Sequence, residues 1–517
     1  MTALAKDLCP DIPKRPSYEV LILWRATALG GHLPGESFYS VALTRGALKH
    51  IASCMNRNPA SFAPRIGLIN PGGWGNLGDA ATLDAAMESV RLRVPDAELF
   101  AVTLNPPDTE RRHRIAAFEL FAKRYTFTRS VDEALATAKV ANTRVGAGFK
   151  GQLKRFLRGL TFMYPLVMIA GRVYYFLRTL GSEWRHGVVS YSILKGTDLL
   201  IVAGGGQLDD YYGGTWDHPY TLLKWTCLAR MAGSTVVVLS VGYGTNPTPL
   251  SNRFFGMMLR MTAFQSFRDQ RTIEHVRARL GRRDMRFCPD LAFGAACKVP
   301  EVAPPGDRLV VGISPIAFAD PRCWPVKDAA QYERYLTELA MFVDWLKAQG
   351  HELVFFCTDT VDLPTLRDLQ ARLAGPASPL ESDIDRPQPY YKEVSELLAQ
   401  ISLADVVVAS RLHGVILAHK LAKPVLAVSY DWKVTVQMEQ VGESACVVDI
   451  RGVQCDALRA GFERLAEDRV GVAQRLRRIA AEYAQMTRTQ MDAVVEEFVP
   501  RRPASAIGQT ASQGHGE

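Results

Sequence analysis

Two short apolar runs in the C-terminal half of the chain constrain its fold more than any other part of the sequence. Val406–Ala409 and Val425–Val428 each have the length and composition of a buried strand, and the residues between them leave room only for a short helix, predicted over Val415–Leu421. A strand, a helix and a second strand in this order form the unit of a parallel sheet. The polar stretches Ser410–Gly414 and Tyr430–Lys433 follow the two strands, so we expect both at the same sheet edge, where open α/β sheets bind ligands.

Three side chains predicted at this edge can carry positive charge: Arg411, His413 and Lys433. Together with the N-terminus of the intervening helix, they suit a small anion with several negative charges. The alternative for Arg411 is an ion pair with an acid, and for His413 a hydrogen-bonded position in the core. We favour an anion site because two neighbouring strand ends carry the pattern.

The composition is that of a soluble globular protein, with 517 residues, 48% hydrophobic and 22% charged. The nine cysteines are scattered without the spacing of a metal site, so we expect reduced thiols and no metal. The N-terminal residues lack the layout of a signal peptide, and no apolar run reaches the length needed to span a bilayer. These observations predict a cytoplasmic protein.

The positive charge of the chain is concentrated in one segment. Of a net charge of +8, residues 144–186 contribute eight cations against one acid, Glu183. Residues 150–178 within this segment are basic, amphipathic and aromatic-rich, which suits peripheral contact with an anionic membrane at the inner face of the cell. The alternative is an inserted helical hairpin packed on its own domain. No recognition motif accompanies these charges, so no nucleic-acid partner is expected.

In the N-terminal half, four predicted strands each end in a glycine-rich or charged cluster. The clusters are Pro71–Gly78, Gly204–Asp210, Val241–Gly244 and Arg268–Asp269. Glycines allow backbone N–H groups to approach a ligand closely. One such loop has a packing explanation, whereas four on one sheet edge indicate the rim of a binding cleft. Asp79 opens the helix after the first loop, and a helix N-cap is its structural alternative.

A proline-rich linker, Val299–Gly306, separates this pattern from a second α/β pattern that begins at Leu309. We predict an N-terminal extension (1–60), a first Rossmann-like domain (61–298) with the insert 144–186, a second Rossmann-like domain (307–497) and a disordered tail (500–517). The fold class is therefore α/β, with two Rossmann-like domains in a GT-B-like arrangement and an inserted basic amphipathic helical segment.

Six segments resemble successive motifs of the polysaccharide pyruvyl transferase family, in the family's order. They are GWGNLGDAATL, DLLIVAGGGQL, SVGYG, SFRDQRTIEHV, PDLAF and ASRLHGVILAHKLAKPVLAVSYDWKV. The resemblance covers about Arg65–Gly442 apart from the basic insert, and the combination of RLHG, YDWK and SFRD is its specific part. The sequence departs from the family pattern at Ala80, where an acid often follows GD, and at Trp432, the spacer of the YDxK motif.

The resemblance implies transfer of a pyruvyl group from phosphoenolpyruvate, a co-substrate, to a sugar as a cyclic ketal, with no further cofactor. Arg268, His413 and Lys433 match family positions implicated in donor binding, and the chemistry fits because the donor carries a phosphate and a carboxylate. Our hypothesis is that His413 protonates the donor methylene or the departing phosphate, and that Asp79 accepts a proton from a sugar hydroxyl.

Further residues complete the predicted site. We assign Arg411, Gly204, Gly205 and Gly414 to donor binding, and Asn76 and Asp209 to acceptor binding. The acceptor is a sugar of a polysaccharide or glycan precursor, and a lipid-linked form is an open alternative.

Two other functions are compatible with this fold. The first is a GT-B glycosyltransferase using a nucleotide sugar, although Val415–Lys423 lacks the carboxylate that such enzymes usually carry there. The second is a non-catalytic scaffold in glycan assembly.

Overall fold

The computed structural model describes residues 63–73, 75–122, 180–210, 213–245, 247–281, 284–301, 308–373 and 393–500. The predicted N-terminal extension, the basic insert before residue 180, most of the linker and the tail beyond residue 500 lie outside the described residues. No helix in the described ranges is both long and apolar enough to cross a membrane.

The first sheet has seven parallel strands in the order β3-β2-β1-β4-β5-β6-β7. Its strands are β1 (Arg65–Ile69), β2 (Glu98–Thr103), β3 (Ala116–Glu119), β4 (Leu199–Ala203), β5 (Thr235–Val241), β6 (Phe264–Phe267) and β7 (Arg286–Phe287). The helices are α1 (Leu77–Arg93), α2 (Pro106–His113), α3 (His218–Met231), α4 (Pro249–Arg260) and α5 (Gln270–Leu280), together with helical residues 180–194. The central strands β1 and β4 are buried along their whole length, because every side chain on them is covered from one face or the other.

The second sheet has five parallel strands in the order β12-β11-β10-β8-β9. Its strands are β8 (Val310–Ser314), β9 (Glu352–Phe355), β10 (Val406–Ala409), β11 (Val425–Ser429) and β12 (Val447–Asp449). The helices are α6 (Ala329–Ala348), α7 (Leu363–Gln370), α8 (Val394–Ser402), α9 (Leu412–Lys420), α10 (Trp432–Gln440), α11 (Cys455–Glu467) and α12 (Arg469–Phe498). Two parallel sheets with alternating helices confirm the predicted α/β class.

Two predicted helix starts are wrong, and both lie beside the candidate site. The helix after β10 begins at Leu412, three residues earlier than predicted, so His413 lies in its first turn. Gly414 in the same turn packs against the end of β10: a Cβ atom there would lie 3.4 Å from Cβ of Ala409. The helix after β1 begins at Leu77, and its N-cap is Asn76 rather than Asp79. The carboxylate of Asp79 is therefore not used for capping.

The carboxyl ends of the two sheets meet directly. The backbone N–H of Leu77 donates to the carbonyl of Thr358 at 2.8 Å, and that of Thr360 donates to Gly75 at 3.3 Å. Asn76 and Asp359 form an antiparallel bridge between these two bonds. The loop after β1 is thus paired with the loop after β9, and the ligand-binding edges of both sheets face one another, as the predicted GT-B-like arrangement requires.

Helix α12 packs on both halves of the structure. Val472 and Leu476, in its N-terminal part, belong to the core of the second sheet, whereas Met491 and Val494 are buried in the core of the first. The helix therefore ties the two sheets together behind their facing edges.

We expect Met491→Ala to destabilise the protein by about 2–5 kcal/mol, because Met491 is buried in the first core and truncation leaves a cavity. Glu497→Ala, at an exposed position on the same helix, should change the free energy of unfolding by less than about 0.5 kcal/mol. Urea unfolding of both variants measures the difference. Equal midpoints would show that the end of α12 contributes little to the first core.

Candidate functional site

Arg268 and His413 come from different sheets and converge on one carboxylate. Arg268 directly follows β6, and its Nη1 donates to Oδ2 of Asp290 at 3.3 Å. His413, in the first turn of α9, places Nε2 at 3.9 Å from the same oxygen. Asp290 is 2% exposed, so this charge is almost completely removed from solvent. A buried carboxylate requires nearby positive charge, and the two side chains are therefore held close together.

Asp290 is itself fixed by its surroundings. Its Oδ1 accepts hydrogen bonds from the backbone N–H of Ala292 at 3.1 Å and from Oγ1 of Thr82 at 3.4 Å. The two carboxylate oxygens therefore have different partners, because Oδ1 anchors the side chain and Oδ2 faces Arg268 and His413. Our sequence analysis missed this residue. The PDLAF motif contains this acid, between Pro289 and an apolar run. We assigned the site from the cations at the strand ends and gave the acid no role.

Two glycines allow Arg268 and His413 to occupy their positions. A Cβ atom at Gly242 would lie 2.5 Å from Nε of Arg268, so the guanidinium lies directly against the backbone after β5. A Cβ atom at Gly78 would overlap the ring of His413. Gly78 belongs to α1 of the first half, so this contact also brings the two halves together. Both glycines are needed for close approach, since no larger residue fits without moving the cation.

The hydrogen-bonding capacity of the His413 imidazole is only partly used. Its side chain is 12% exposed, and among the described residues no group forms a hydrogen bond with the buried Nε2 atom. The 3.9 Å separation from Asp290 is an ion-pair distance, too long for a hydrogen bond. Buried polar atoms are normally hydrogen-bonded, and Nε2 of His413 is an exception within a charged cluster.

Asp79 belongs to the same charged cluster as His413 and Asp290. Burial raises the pKa of the Asp79 carboxyl, the positive charge of His413 opposes this rise, and the neighbouring carboxylates of Asp359 and Asp290 add to it. A Cβ atom at Gly205 would lie 3.5 Å from Oδ1 of Asp79, so the loop after β4 passes beside this carboxyl group. Asp79 of the first half and His413 of the second half therefore interact electrostatically.

Lys433 binds an acid from the other half. Its Nζ donates to Oδ2 of Asp209 at 3.2 Å, and the two side chains are equally exposed at 17%. A Cβ atom at Gly206 would lie 3.9 Å from Nζ, which places Lys433 over the glycine loop after β4. Next to it, Oγ1 of Thr245 donates to Oδ2 of Asp431 at 2.8 Å. The predicted donor-side lysine and acceptor-side aspartate are thus neighbours on the seam between the halves.

Arg411 forms ion pairs with two acids of the second half. Its Nη2 donates to Oδ1 of the fully buried Asp362 at 3.0 Å, its Nε contacts the other oxygen of that carboxylate, and its Nη1 lies 3.5 Å from Asp359. A bidentate pair of this kind has high directional specificity. The donor-binding role of Arg411 stays a prediction, and these contacts favour the structural alternative.

The remaining predicted residues have local structural roles. Oδ1 of Asn76 accepts from the backbone N–H groups of Gly78 and Asp79 at 3.0 and 3.1 Å, which caps α1 and orients its first turn. Gly204 has a φ of +56°, and a Cβ atom there would overlap Thr82. Gly414 is buried in the first turn of α9. Binding roles for these three residues stay predictions. Their local contacts fix the course of the backbone beside the site.

Fold and site together define an α/β protein whose two sheets bring charged strand ends, Arg268 and His413 among them, into one cluster. The sequence model of the family described as polysaccharide pyruvyl transferase matches residues 76–431. The chain belongs to this family. No curated protein matches the sequence.

Solved structures similar to this chain are distant in sequence. A putative UDP-N-acetylglucosamine 2-epimerase from Listeria monocytogenes has 12% identity, a TM-score of 0.45, and coverage of 84% of this chain and 96% of that chain. S. aureus MnaA, solved with UDP, has 9% identity, a TM-score of 0.44, and coverage of 85% and 99%. A glycosyltransferase from Rickettsia africae has 9% identity, a TM-score of 0.41, and coverage of 84% and 98%.

We expect Asp79→Asn to raise thermal stability at neutral pH. Because the pKa of Asp79 is raised in the folded protein, ionisation costs stability at every pH above the carboxyl pKa of the unfolded chain, about 3.9. The neutral amide avoids this cost, so its advantage should be largest near neutral pH and should vanish as the pH falls towards that value.

Thermal unfolding of wild type and Asp79→Asn across this pH range measures the effect. Asp96→Asn, at an exposed position on the same half, should behave like the wild type at every pH. A variant Asp79→Asn that is less stable than the wild type at neutral pH would contradict the raised pKa.

Proposed function

We propose that this protein transfers the pyruvyl group of phosphoenolpyruvate to two hydroxyl groups of a sugar, forming a ketal and releasing phosphate. Family membership supports pyruvyl transfer to a polysaccharide or its precursor. The observation that carries the finer proposal is the convergence of Arg268 and His413 on Asp290, with Asp79 beside them. This cluster offers a cation for the anionic donor, a proton donor and a proton acceptor within one site.

Arg268 is the proposed anchor for the donor. A guanidinium has five N–H groups, and the hydrogen bond to Asp290 uses only Nη1. Nε lies 3.9 Å from Oδ2 of Asp269, so the N–H groups at the end of the guanidinium are the ones that suit a phosphate or carboxylate, which bind arginine in a two-point geometry. Lys433 would supply the second cation, exchanging Asp209 for a donor oxygen as the substrate binds.

The reaction begins at the methylene carbon of the donor. His413 delivers a proton to this carbon, so that the methylene becomes a methyl group, the double bond becomes a single bond and the adjacent carbon becomes electrophilic. A sugar hydroxyl adds there and loses its proton to Asp79. The carbon–oxygen bond to phosphate then breaks, the second hydroxyl adds to the same carbon, and its proton passes to the departing phosphate. In the alternative assignment, His413 protonates that phosphate and regains a proton from the second hydroxyl, while the methylene carbon receives the proton of the first hydroxyl through Asp79.

The environment of Asp79 suits its proposed role as base. A carboxylate with a raised pKa binds a proton more strongly than an ordinary carboxylate does, so it removes a hydroxyl proton more effectively once it is ionised. His413 lies next to it, so the proton gained by Asp79 can restore the proton that His413 has delivered. The pair would thereby complete one cycle without net proton uptake.

His413→Gln should lower turnover by at least about 100-fold, because glutamine fills the space of the imidazole but cannot transfer a proton. The assay is phosphate release from phosphoenolpyruvate in the presence of a panel of hexose and N-acetylhexosamine glycosides. His351→Gln is the matched control, since His351 precedes β9 at the opposite end of the second sheet. Wild-type turnover in His413→Gln would exclude His413 as the proton donor.

Lys433→Ala should raise the KM for phosphoenolpyruvate about tenfold, the effect of losing a charge-assisted contact worth about 1.5 kcal/mol. Lys327→Ala, at an exposed position elsewhere in the second half, should leave the KM unchanged.

Thermal shifts of the wild type distinguish the three candidate functions. Stabilisation by phosphoenolpyruvate but not by nucleotide sugars supports pyruvyl transfer. The reverse result would favour a glycosyltransferase, and no shift with either compound would favour a scaffold.

A further inference from the structure

Three helical segments form one layer on the outside of the first sheet: residues 180–194, α3 and α4. Nζ of Lys224 in α3 donates to Glu183 at 2.7 Å, which joins the first two segments. The rings of Trp216 and Phe254 lie 5.5 Å apart, and those of Tyr220 and Phe254 lie 6.5 Å apart, which joins α3 to α4. We call the solvent-facing side of this layer the outer helical face.

Large apolar side chains are concentrated on these segments. Trp184 is 74% exposed and Trp216 is 68% exposed. Among the described residues, eleven large apolar side chains are exposed, and seven of them lie between residues 180 and 257: Leu180, Trp184, Val188, Trp216, Met231, Leu250 and Met257. Single exposed apolar residues need no explanation, but a cluster with two tryptophans indicates an interaction surface.

The charge of the same segments is mostly positive. Residues 180–194, α3 and α4 carry five cations and one acid: Arg185, Lys224, Arg230, Arg253 and Arg260 against Glu183. Glu183 is paired with Lys224, and Asp217 at the start of α3 adds one further acid. Two copies of this surface would repel each other, so a second copy of the chain is a poor occupant. Exposed tryptophans interleaved with arginines instead match the interface of an anionic bilayer, where indole rings lie at the level of the headgroups.

We propose that the outer helical face binds the surface of a membrane containing anionic lipids. In this orientation Trp184 and Trp216 enter the interfacial region, and Arg185 and Arg253 contact lipid headgroups. Trp184, Arg185 and Arg253 lie in the described helices, and Trp216 lies in the loop before α3. All four are therefore distinct from residues 150–178, for which the sequence predicts membrane contact.

The outer helical face is connected to the acceptor side of the candidate site. Oδ2 of Asp210, in the loop after β4, accepts from Oγ of Ser251 in α4 at 2.7 Å and from the backbone N–H of Thr248 at 2.8 Å. The preceding residue, Asp209, contacts Lys433. A membrane bound at this face would therefore present a lipid-linked sugar close to the seam, a consequence that rests on the proposed function.

The test is co-sedimentation of the full chain with phosphatidylcholine vesicles prepared with and without phosphatidylglycerol. The wild type should bind only the anionic vesicles, and added salt should weaken the binding. Arg185→Gln and Arg253→Gln should each lower the partition coefficient about fivefold. Arg334→Gln and Val326→Ala, exposed positions on the second half, are matched controls that should bind like the wild type. Residues 150–178 are present in every variant, so any contribution from them is constant.

A second readout tests the tryptophans directly. Brominated phosphatidylcholine in the anionic vesicles should quench part of the tryptophan fluorescence, and Trp184→Phe together with Trp216→Phe should remove that quenching. Unchanged quenching and unchanged partition in the surface variants would overturn the proposal, as would a wild type that binds no anionic vesicle. Neither readout requires turnover, so failure here is distinguishable from failure of pyruvyl transfer.

Discussion

The structure around the candidate site depends on one buried negative charge, the carboxylate of Asp290. Leaving one charge of such a pair buried without its partner costs about 3–5 kcal/mol, so Asp290 and Arg268 stabilise each other only while both are present. Because Oδ2 of Asp290 also faces His413 at 3.9 Å, the same carboxylate links the first half to the second. This polar interaction is therefore one of the contacts by which the two sheet edges meet, while α12 packs on the apolar cores of both sheets behind them.

The seam combines backbone and side-chain contacts of different strength. Backbone pairing between Leu77 and Thr358 fixes the register of the two loops, and the close approach of Gly78 to His413 fixes their distance. The Lys433–Asp209 contact is partly exposed, so its contribution to stability is small. The backbone pairing and the glycine contact therefore hold the two halves together, and the Lys433–Asp209 pair adds little to this. Under the proposed function, Lys433 leaves this weak pair to bind the anionic donor.

The sequence predicted both sheets because apolar runs such as Val406–Ala409 have the length and composition of buried strands. It also predicted which strand ends carry charge. It did not reveal which charges meet, because pairing depends on distances set by contacts between residues far apart in the chain. Arg411 and Arg268 are both arginines after a strand, yet one binds the buried acid Asp362 and the other faces His413 across Asp290. Asp290 itself was missed because an isolated acid has no periodicity.

The two acids beside His413, Asp290 and Asp79, differ in the groups that surround their carboxyl groups. Asp290 accepts hydrogen bonds from a backbone N–H, a hydroxyl and a guanidinium. Asp79 has burial and two neighbouring carboxylates acting against ionisation, with His413 as the largest opposing influence. The two carboxyl groups in this site therefore have different surroundings: Asp290 is held by hydrogen-bond donors, whereas burial raises the pKa of Asp79. This difference fits the proposed role of Asp79 as the proton acceptor.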